Sequence, residues 1–186
     1  MRIISGKFKG KSVEFTKSPI TRPLKDSVKE NIFNILQHSN EIKVKIEQAQ
    51  VLDLYSGIGS FGIECISRGA KQVTFVENDF NALKVLNNNL KKLSALNVSE
   101  IINDKIEKFI EFNSNKKYKI IFLDPPYSNK TYYENLINLR ERKKIEKDHI
   151  IIIHREKNSK EDLSKLFDLY KEKIYGRSKI IFGKFK

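Results

Sequence analysis

From Val51 onward, short apolar, β-branched runs alternate with stretches whose apolar residues recur every three or four positions. That change of period predicts strands followed by helices, hence an α/β fold with a mainly parallel sheet. Val51-Leu52-Asp53-Leu54-Tyr55 reads as the first strand, and the glycine-rich turn over 56–62 opens a helix over 61–68 that ends at Gly69-Ala70. Val73-Thr74-Phe75-Val76-Glu77 is a second strand, and 80–93 a helix with Leu83, Leu86, Leu90 and Leu93 inward. Ile101-Ile102-Asn103-Asp104 ends a third strand, followed by a short helix carrying Ile106, Phe109 and Ile110. Ile120-Ile121-Phe122-Leu123 is a fourth strand, and Tyr132, Tyr133, Leu136, Ile137 and Leu139 mark the next helix. A fifth strand covers 149–153, and Leu163, Leu166 and Phe167 mark one more helix. Residues 170–175 and 178–182, divided by Gly176, read as a closing antiparallel hairpin.

Ahead of this alternation, Arg2-Ile3-Ile4-Ser5 and Ser12-Val13-Glu14-Phe15 suggest a small hairpin whose turn carries Lys7, Lys9 and Lys11 between Gly6 and Gly10. An isolated hairpin is marginal, so it must lean on the domain or on a ligand. Thr21-Arg22-Pro23-Leu24-Lys25-Asp26 reads as extended. Ser27-Val28-Lys29-Glu30 has capping-box form, with Val28, Ile32, Phe33, Ile35 and Leu36 as the apolar stripe of the helix behind it. Residues 37–50 are polar and read as a connection. The expected organisation is one domain over 1–186, with 1–36 as a hairpin-and-helix extension and 51–186 as a catalytic core.

Composition narrows the class. A chain of 186 residues with 39% hydrophobic positions can bury a substantial core. No apolar run approaches the roughly 20 residues that span a bilayer, and the N-terminus lacks a signal-peptide apolar stretch, so a cytoplasmic location is expected. The single cysteine, Cys65, excludes an internal disulfide, and its neighbours Ile63 and Ile66 suggest a buried thiol. The three histidines show no metal-ligand spacing, so no metal is expected. Thirty-six basic residues against 23 acidic give a formal charge of +13, which favours a polyanionic partner such as nucleic acid.

The chemistry concentrates where strands end. Asp124-Pro125-Pro126-Tyr127 follows the fourth strand. Two prolines hold φ near roughly −65° and carry no N–H, so the loop is stiff and rich in acceptors. It suits a planar base with an exocyclic amine: the NH₂ would donate to Asp124 and a loop carbonyl, and the ring would stack on Tyr127. Each of the first four strands also ends near an acid: Asp53, Glu77, Asp104 and Asp124. Ligands of open α/β sheets sit beyond these carboxyl ends. Gly57, Gly59 and Gly62 have G-x-G-x-x-G spacing, yet Asp53 just before them would repel a pyrophosphate. A zwitterionic adenosyl ligand, S-adenosylmethionine, fits better, with Asp53 toward its amino group, Glu77 toward its ribose and Asp104 toward its adenine amine.

These motifs resemble those of class I methyltransferases that act on exocyclic amines. Arg2-Ile3-Ile4-Ser5-Gly6, Thr21-Arg22-Pro23, Val28-Lys29-Glu30 with Phe33, Ser67-Arg68-Gly69-Ala70 and the closing Tyr175-Gly176 with Ile180-Ile181-Phe182 are similar to the bacterial 16S rRNA guanine-N2 methyltransferase family. Lys29 departs from the arginine usual there. The resemblance implies a Rossmann-like, seven-stranded, mainly parallel sheet with helices on both faces, an antiparallel C-terminal strand and an N-terminal β-hairpin. It also implies transfer of a methyl group to guanine N2 by a monomer acting on 16S rRNA or a small-subunit assembly particle. Asp124, Pro125, Pro126 and Tyr127 would be catalytic. Asp53, Tyr55, Gly57, Gly59, Glu77, Asn78, Asp104, Lys105 and Asp124 would meet the cofactor, and Arg2, Lys7, Lys9, Lys11, Arg22 and Lys25 the RNA. An adenine-N6 methyltransferase and a non-catalytic RNA-binding assembly factor are the alternative readings.

Overall fold

The computed structural model describes residues 1–15, 24–112, 115–159 and 162–186. Its centre is a seven-stranded sheet in the order β3-β2-β1-β4-β5-β7-β6. The strands are β1 (Gln50–Leu54), β2 (Gln72–Glu77), β3 (Ser99–Asn103), β4 (Tyr118–Leu123), β5 (Ile145–Glu156), β6 (Phe167–Tyr175) and β7 (Ser178–Phe185). β3, β2, β1, β4 and β5 run parallel, while β7 is antiparallel to both β5 and β6. Helices α1 (Asp26–His38), α2 (Ser60–Ser67), α3 (Phe80–Lys92), α4 (Ile106–Glu111) and α5 (Tyr132–Glu141) complete the fold. No described helix is long and apolar enough to cross a membrane.

The central strands are apolar on both faces because both are covered. Successive side chains point to opposite sides. Val51, Phe75, Ile120, Phe122, Ile150 and Ile152 therefore join one core with residues of α1, α2 and α3. Leu52, Leu54, Val76, Ile121, Leu123, Ile151 and Ile153 join the other with α4 and α5. In the first core Phe61 stacks on Phe122 at 4.2 Å and on Phe33 at 5.1 Å, tying α1 and α2 to the middle of the sheet.

Two local expectations need correction. Leu163, Leu166 and Phe167 do not lie on a helix: 164–166 form a turn and Phe167 already starts β6. A single tight turn followed by an inward strand residue yields the same apolar spacing, and so short a segment does not favour helix nucleation. Phe167 instead stacks on Phe185 of β7 at 4.9 Å. Helix α1 begins two residues earlier than its capping box requires, with Lys25 as N-cap and no side-chain cap bond. Ser27 thus stands inside the first turn, where a helical backbone prevents it from serving as cap. The N-terminal hairpin forms as expected, with Arg2 bridged antiparallel to Ser12 and the Ile3 and Val13 amides donating to the Lys11 and Met1 carbonyls at 3.0 Å. It is held by packing of Ile3, Phe8 and Val13 into the first core. The connection over 37–50 likewise buries Ile42, Val44 and Ala49. Thr21-Arg22-Pro23 lies outside the described residues.

Candidate functional site

A cavity of about 390 Å³ opens at the carboxyl ends of β1, β2 and β4. Its walls include Leu24, Lys25, Asp53, Tyr55, Ser56, Gly57, Ile58, Phe61, Glu77, Asn78 and Asp79 on one side. Ser60, Phe122, Asp124, Pro125, Pro126, Tyr127, His154, Arg177 and Ser178 complete it. The topology explains the location: β1 lies between β2 and β4, and chain crossovers leave from it to opposite sides.

The turn after β1 needs left-handed backbone at Tyr55 (φ 57°), Gly57 (φ 53°) and Gly59 (φ 82°). The glycines serve different ends. A Cβ on Gly57 would meet nothing within 4 Å, so its backbone stands open to the cavity. A Cβ on Gly59 would come within 2.5 Å of Leu86, and one on Gly62 within 2.3 Å of Phe75. Gly59 and Gly62 therefore allow close packing of α2 on the sheet and α3, and Gly59 does not line the cavity. Of the expected cofactor residues, the structure brings together Asp53, Tyr55, Gly57, Glu77, Asn78 and Asp124. Asp104 and Lys105, at the end of the neighbouring edge strand β3, are not among the residues that line the cavity. The Asp104 carboxylate accepts the Lys105 amide at 2.8 Å and lies 3.9 Å from the Lys108 ammonium.

The acids are held by backbone donors. Asp53 is fully buried and its Oδ2 accepts the Gly62 N–H of α2 at 2.9 Å. Burial pushes its carboxyl well above the ordinary carboxylate range, opposed by the Gly62 hydrogen bond and reinforced by the charges of Asp124 and Glu77. Glu77 accepts the Gly57 amide on Oε2 at 2.8 Å, and the Asn78 and Asp79 amides on Oε1 at 2.8 and 2.9 Å. Oε2, with one hydrogen bond made, keeps acceptor capacity for a hydroxyl donor. Tyr55 accepts the Asn135 amide at 3.0 Å, and burial raises its phenol.

The proline loop is clamped from β5. Leu123 of β4 is in register with Ile153 of β5, so Asp124 and His154 emerge side by side. His154 Nδ1 lies 2.7 Å from Asp124 Oδ1, and its Nε2 lies 2.9 Å from Ser178 Oγ. Arg155 donates to the Pro126 and Tyr127 carbonyls at 3.2 and 3.3 Å, and its guanidinium covers the Tyr132 ring at 4.5 Å. Pro126 also accepts the Asn129 amide at 2.8 Å. The hydrogen bonds of the loop carbonyls thus fall on Pro126 and Tyr127. Pro125 is buried, Pro126 exposed and Tyr127 half-buried. Sequence reasoning missed His154 and Arg155, which follow an apolar run that reads only as core. Their signal was positional: they stand at the carboxyl end of the strand next to β4.

The basic hairpin is bolted to α2. Glu64, buried in α2, accepts the Ile4 amide at 2.8 Å and the Ser5 amide at 3.0 Å, and pairs with Arg68 at 2.9 Å. Ser67 takes the Lys7 amide on its carbonyl at 2.8 Å and the Phe8 amide on its hydroxyl at 3.0 Å. Lys29 is fully buried, donates to the Arg2 carbonyl at 2.9 Å and stands 4.0 Å from Glu64. Burial lowers its ammonium from the usual lysine value, against the charges of Glu64 and Asp26. Arg2, Lys7, Lys9 and Lys11 remain exposed, with the Lys7 and Lys11 ammoniums 4.7 and 5.2 Å from the Phe8 ring. Exposed Lys25 lines the cavity mouth, and Arg22 lies outside the described residues. Among the described residues no group of His, Cys, Asp and Glu is arranged to hold a metal ion.

Comparison with known proteins matches this arrangement. A family model described as "Conserved hypothetical protein 95" covers residues 1–184. The ribosomal RNA small subunit methyltransferase D of Buchnera aphidicola (subsp. Acyrthosiphon pisum) is 37% identical over 173 residues, 92% of this chain and 86% of that one. Its namesake from Haemophilus influenzae is 32% identical, covering 95% of this chain and 89% of the other. The solved structure of yhhF from Escherichia coli superimposes with a TM-score of 0.85 at 26% identity, over 100% of this chain and 98% of that one. With almost its whole length matched and its cavity built from those strand ends, the chain belongs to the rRNA methyltransferase family that includes the small subunit methyltransferase D proteins.

Proposed function

We propose that this protein methylates the exocyclic N2 amine of a guanine in 16S rRNA, free or within a small-subunit assembly particle, as a cytoplasmic monomer. S-adenosylmethionine supplies an electrophilic methyl group on a sulfonium. The cavity suits that donor: its volume of about 390 Å³ lies within the usual range for small-ligand sites. Its wall also offers the open Gly57 backbone beside Glu77. Glu77 would take the ribose hydroxyls, and Asp53 the amino group.

The observation that carries the reading is the clamped proline loop, which sets the Asp124 carboxylate in the cavity wall. Arg155 and Asn129 occupy the Pro126 and Tyr127 carbonyls, and His154 occupies Asp124 Oδ1. Asp124 Oδ2 and the Pro125 carbonyl would take the incoming amine. An aryl NH₂ has two protons and a lone pair delocalised into its ring. With both protons held by those acceptors, the lone pair is localised toward the donor, and Tyr127 stacks the base for in-line attack. The amine nitrogen would gain the methyl as the methyl–sulfur bond breaks, S-adenosylhomocysteine would leave as a neutral thioether, and one amine proton would pass to the Asp124 carboxylate. Positioning and electrostatics supply the catalysis. The base must leave its stack to reach the cavity. Arg2, Lys7, Lys9, Lys11, Arg22 and Lys25 would hold the RNA backbone.

The test is incubation of the protein with radiolabelled S-adenosylmethionine and unmodified small-subunit rRNA or particles, followed by nucleoside analysis. N2-methylguanosine is the expected product, abolished by Asp124→Ala. N6-methyladenosine, or no incorporation into either substrate, would overturn the assignment.

A further inference from the structure

The side chain next to Asp124 does not itself accept the amine, yet its geometry is closely defined. His154 is 8% exposed, lines the cavity and contacts the proline loop at two points. Its Nδ1 is 2.7 Å from Asp124 Oδ1, and its ring meets Tyr127 edge-on, with centroids 6.0 Å apart and planes at 79°. Nε2 is 2.9 Å from Ser178 Oγ, the first residue of β7.

A carboxylate oxygen only accepts, so the proton of this contact belongs to Nδ1. The partner of one imidazole nitrogen decides what the other does. Ser178 thus holds the ring from behind while the ring holds Asp124. The terminal torsion of an aspartate is broad and two-fold, so nothing intrinsic to Asp124 directs one oxygen to the cavity. The hydrogen bond to Oδ1 does, and it leaves Oδ2 for the incoming amine. The strand register makes the pairing unavoidable, because Leu123 pairs with Ile153 and the next residue on each strand is Asp124 or His154.

We propose that His154, backed by Ser178, is a positioning residue that sets the Asp124 carboxylate for the nucleobase amine. The proposal rests on Asp124 as an amine acceptor. His154 touches neither base nor donor in this role. It acts on the chemical step through the angle and the occupancy of the Asp124 oxygens.

The test compares His154→Ala, His154→Asn and Ser178→Ala for kcat, KM for RNA, S-adenosylmethionine affinity by calorimetry and thermal unfolding. His154→Ala should lower kcat by about 100-fold, the scale of a misplaced reacting group, with donor affinity nearly unchanged. The amide nitrogen of asparagine stands close to where Nδ1 was, so His154→Asn should recover kcat to within about tenfold of wild type, and Ser178→Ala should lie between. A wild-type kcat in His154→Ala overturns the proposal. So does a folded His154→Asn as slow as a folded His154→Ala, which would make the ring's bulk its contribution. Should the alanine variant not fold, a fast His154→Asn supports the proposal and a slow, folded one overturns it. Full activity in Asp124→Ala would remove the amine-acceptor reading itself, whatever the His154 variants do.

Discussion

Glu77 Oε2 accepts the Gly57 N–H at 2.8 Å, joining the end of β2 to the turn that follows β1. The same carboxylate holds the Asn78 and Asp79 amides, so one side chain shapes two loops of the cavity. Hydrogen bonds to a charged acceptor contribute about 1.5–3 kcal/mol each. Glu77→Ala should therefore weaken S-adenosylmethionine binding by about ten- to a hundredfold and lower the melting temperature. Calorimetry on the folded variant measures the first effect and a thermal scan the second. Unchanged affinity would remove Glu77 from the cofactor site.

Glu64 bears a different load. It takes two hairpin amides, pairs with Arg68 and faces the buried Lys29. Removing it leaves a buried ammonium without its main counter-charge, a loss of about 3–5 kcal/mol. Urea unfolding of Glu64→Ala should show that drop, with Glu64→Gln intermediate because an amide oxygen still accepts one N–H.

Gly6 separates the anchoring of the hairpin from the catalytic core. It has φ 79°, and an added Cβ would lie 1.8 Å from the Ser67 carbonyl oxygen. That oxygen accepts the Lys7 amide, so the turn cannot stay seated. Gly6→Ala is expected to cost at least about 1–3 kcal/mol of stability and to raise KM for RNA, while the cofactor affinity of the folded fraction holds. An RNA KM equal to wild type would argue against the hairpin as an RNA contact.

Salt dependence tests the exposed lysines directly. Replacing Lys7, Lys9 and Lys11 together by alanine removes three candidate phosphate contacts. At about 0.7–0.9 per phosphate, the slope of log affinity against log salt should become shallower by about two to three. An unchanged slope would place the RNA elsewhere.

Asp53 gives the protein a pH signature. Its folded carboxyl is raised by burial, so on raising pH the unfolded chain releases this proton first while the native state retains it. The native state then binds more protons than the unfolded one, and stability falls as pH rises. The fall starts at the ordinary carboxylate value, continues up to the raised native value and is complete above it. Below the ordinary value both states are protonated and the effect vanishes. Asp53→Asn keeps an acceptor for Gly62 without this titration. Its stability relative to wild type should therefore increase from about pH 4 upward, read by urea unfolding across a pH series.

Much of the fold was legible along the chain. The alternation from Val51 marks β1 to β5 and α2 to α5, because buried parallel strands and amphipathic helices leave different apolar periods. Where the pattern misled, few residues were involved. Leu163, Leu166 and Phe167 match a helix and a turn-plus-strand equally well, and only the stacking of Phe167 on Phe185 decides between them. Ser27 and Glu30 spell a capping box, yet the helix starts before it at Asp26.

The sequence by itself determined the chemical vocabulary of the site: Asp124-Pro125-Pro126-Tyr127 after one strand, Asp53 and Glu77 after two others, and lysines on an N-terminal turn. These are local signals, set by which residues follow a strand. Tertiary structure decided which of them meet. It lined the cavity from the ends of β1, β2 and β4, with Asp104 and Lys105 at the end of the neighbouring edge strand β3. It assigned Gly59 and Gly62 to packing, because Leu86 and Phe75 stand over them. It placed His154 against Asp124, two residues thirty positions apart that only the register of β4 on β5 makes neighbours.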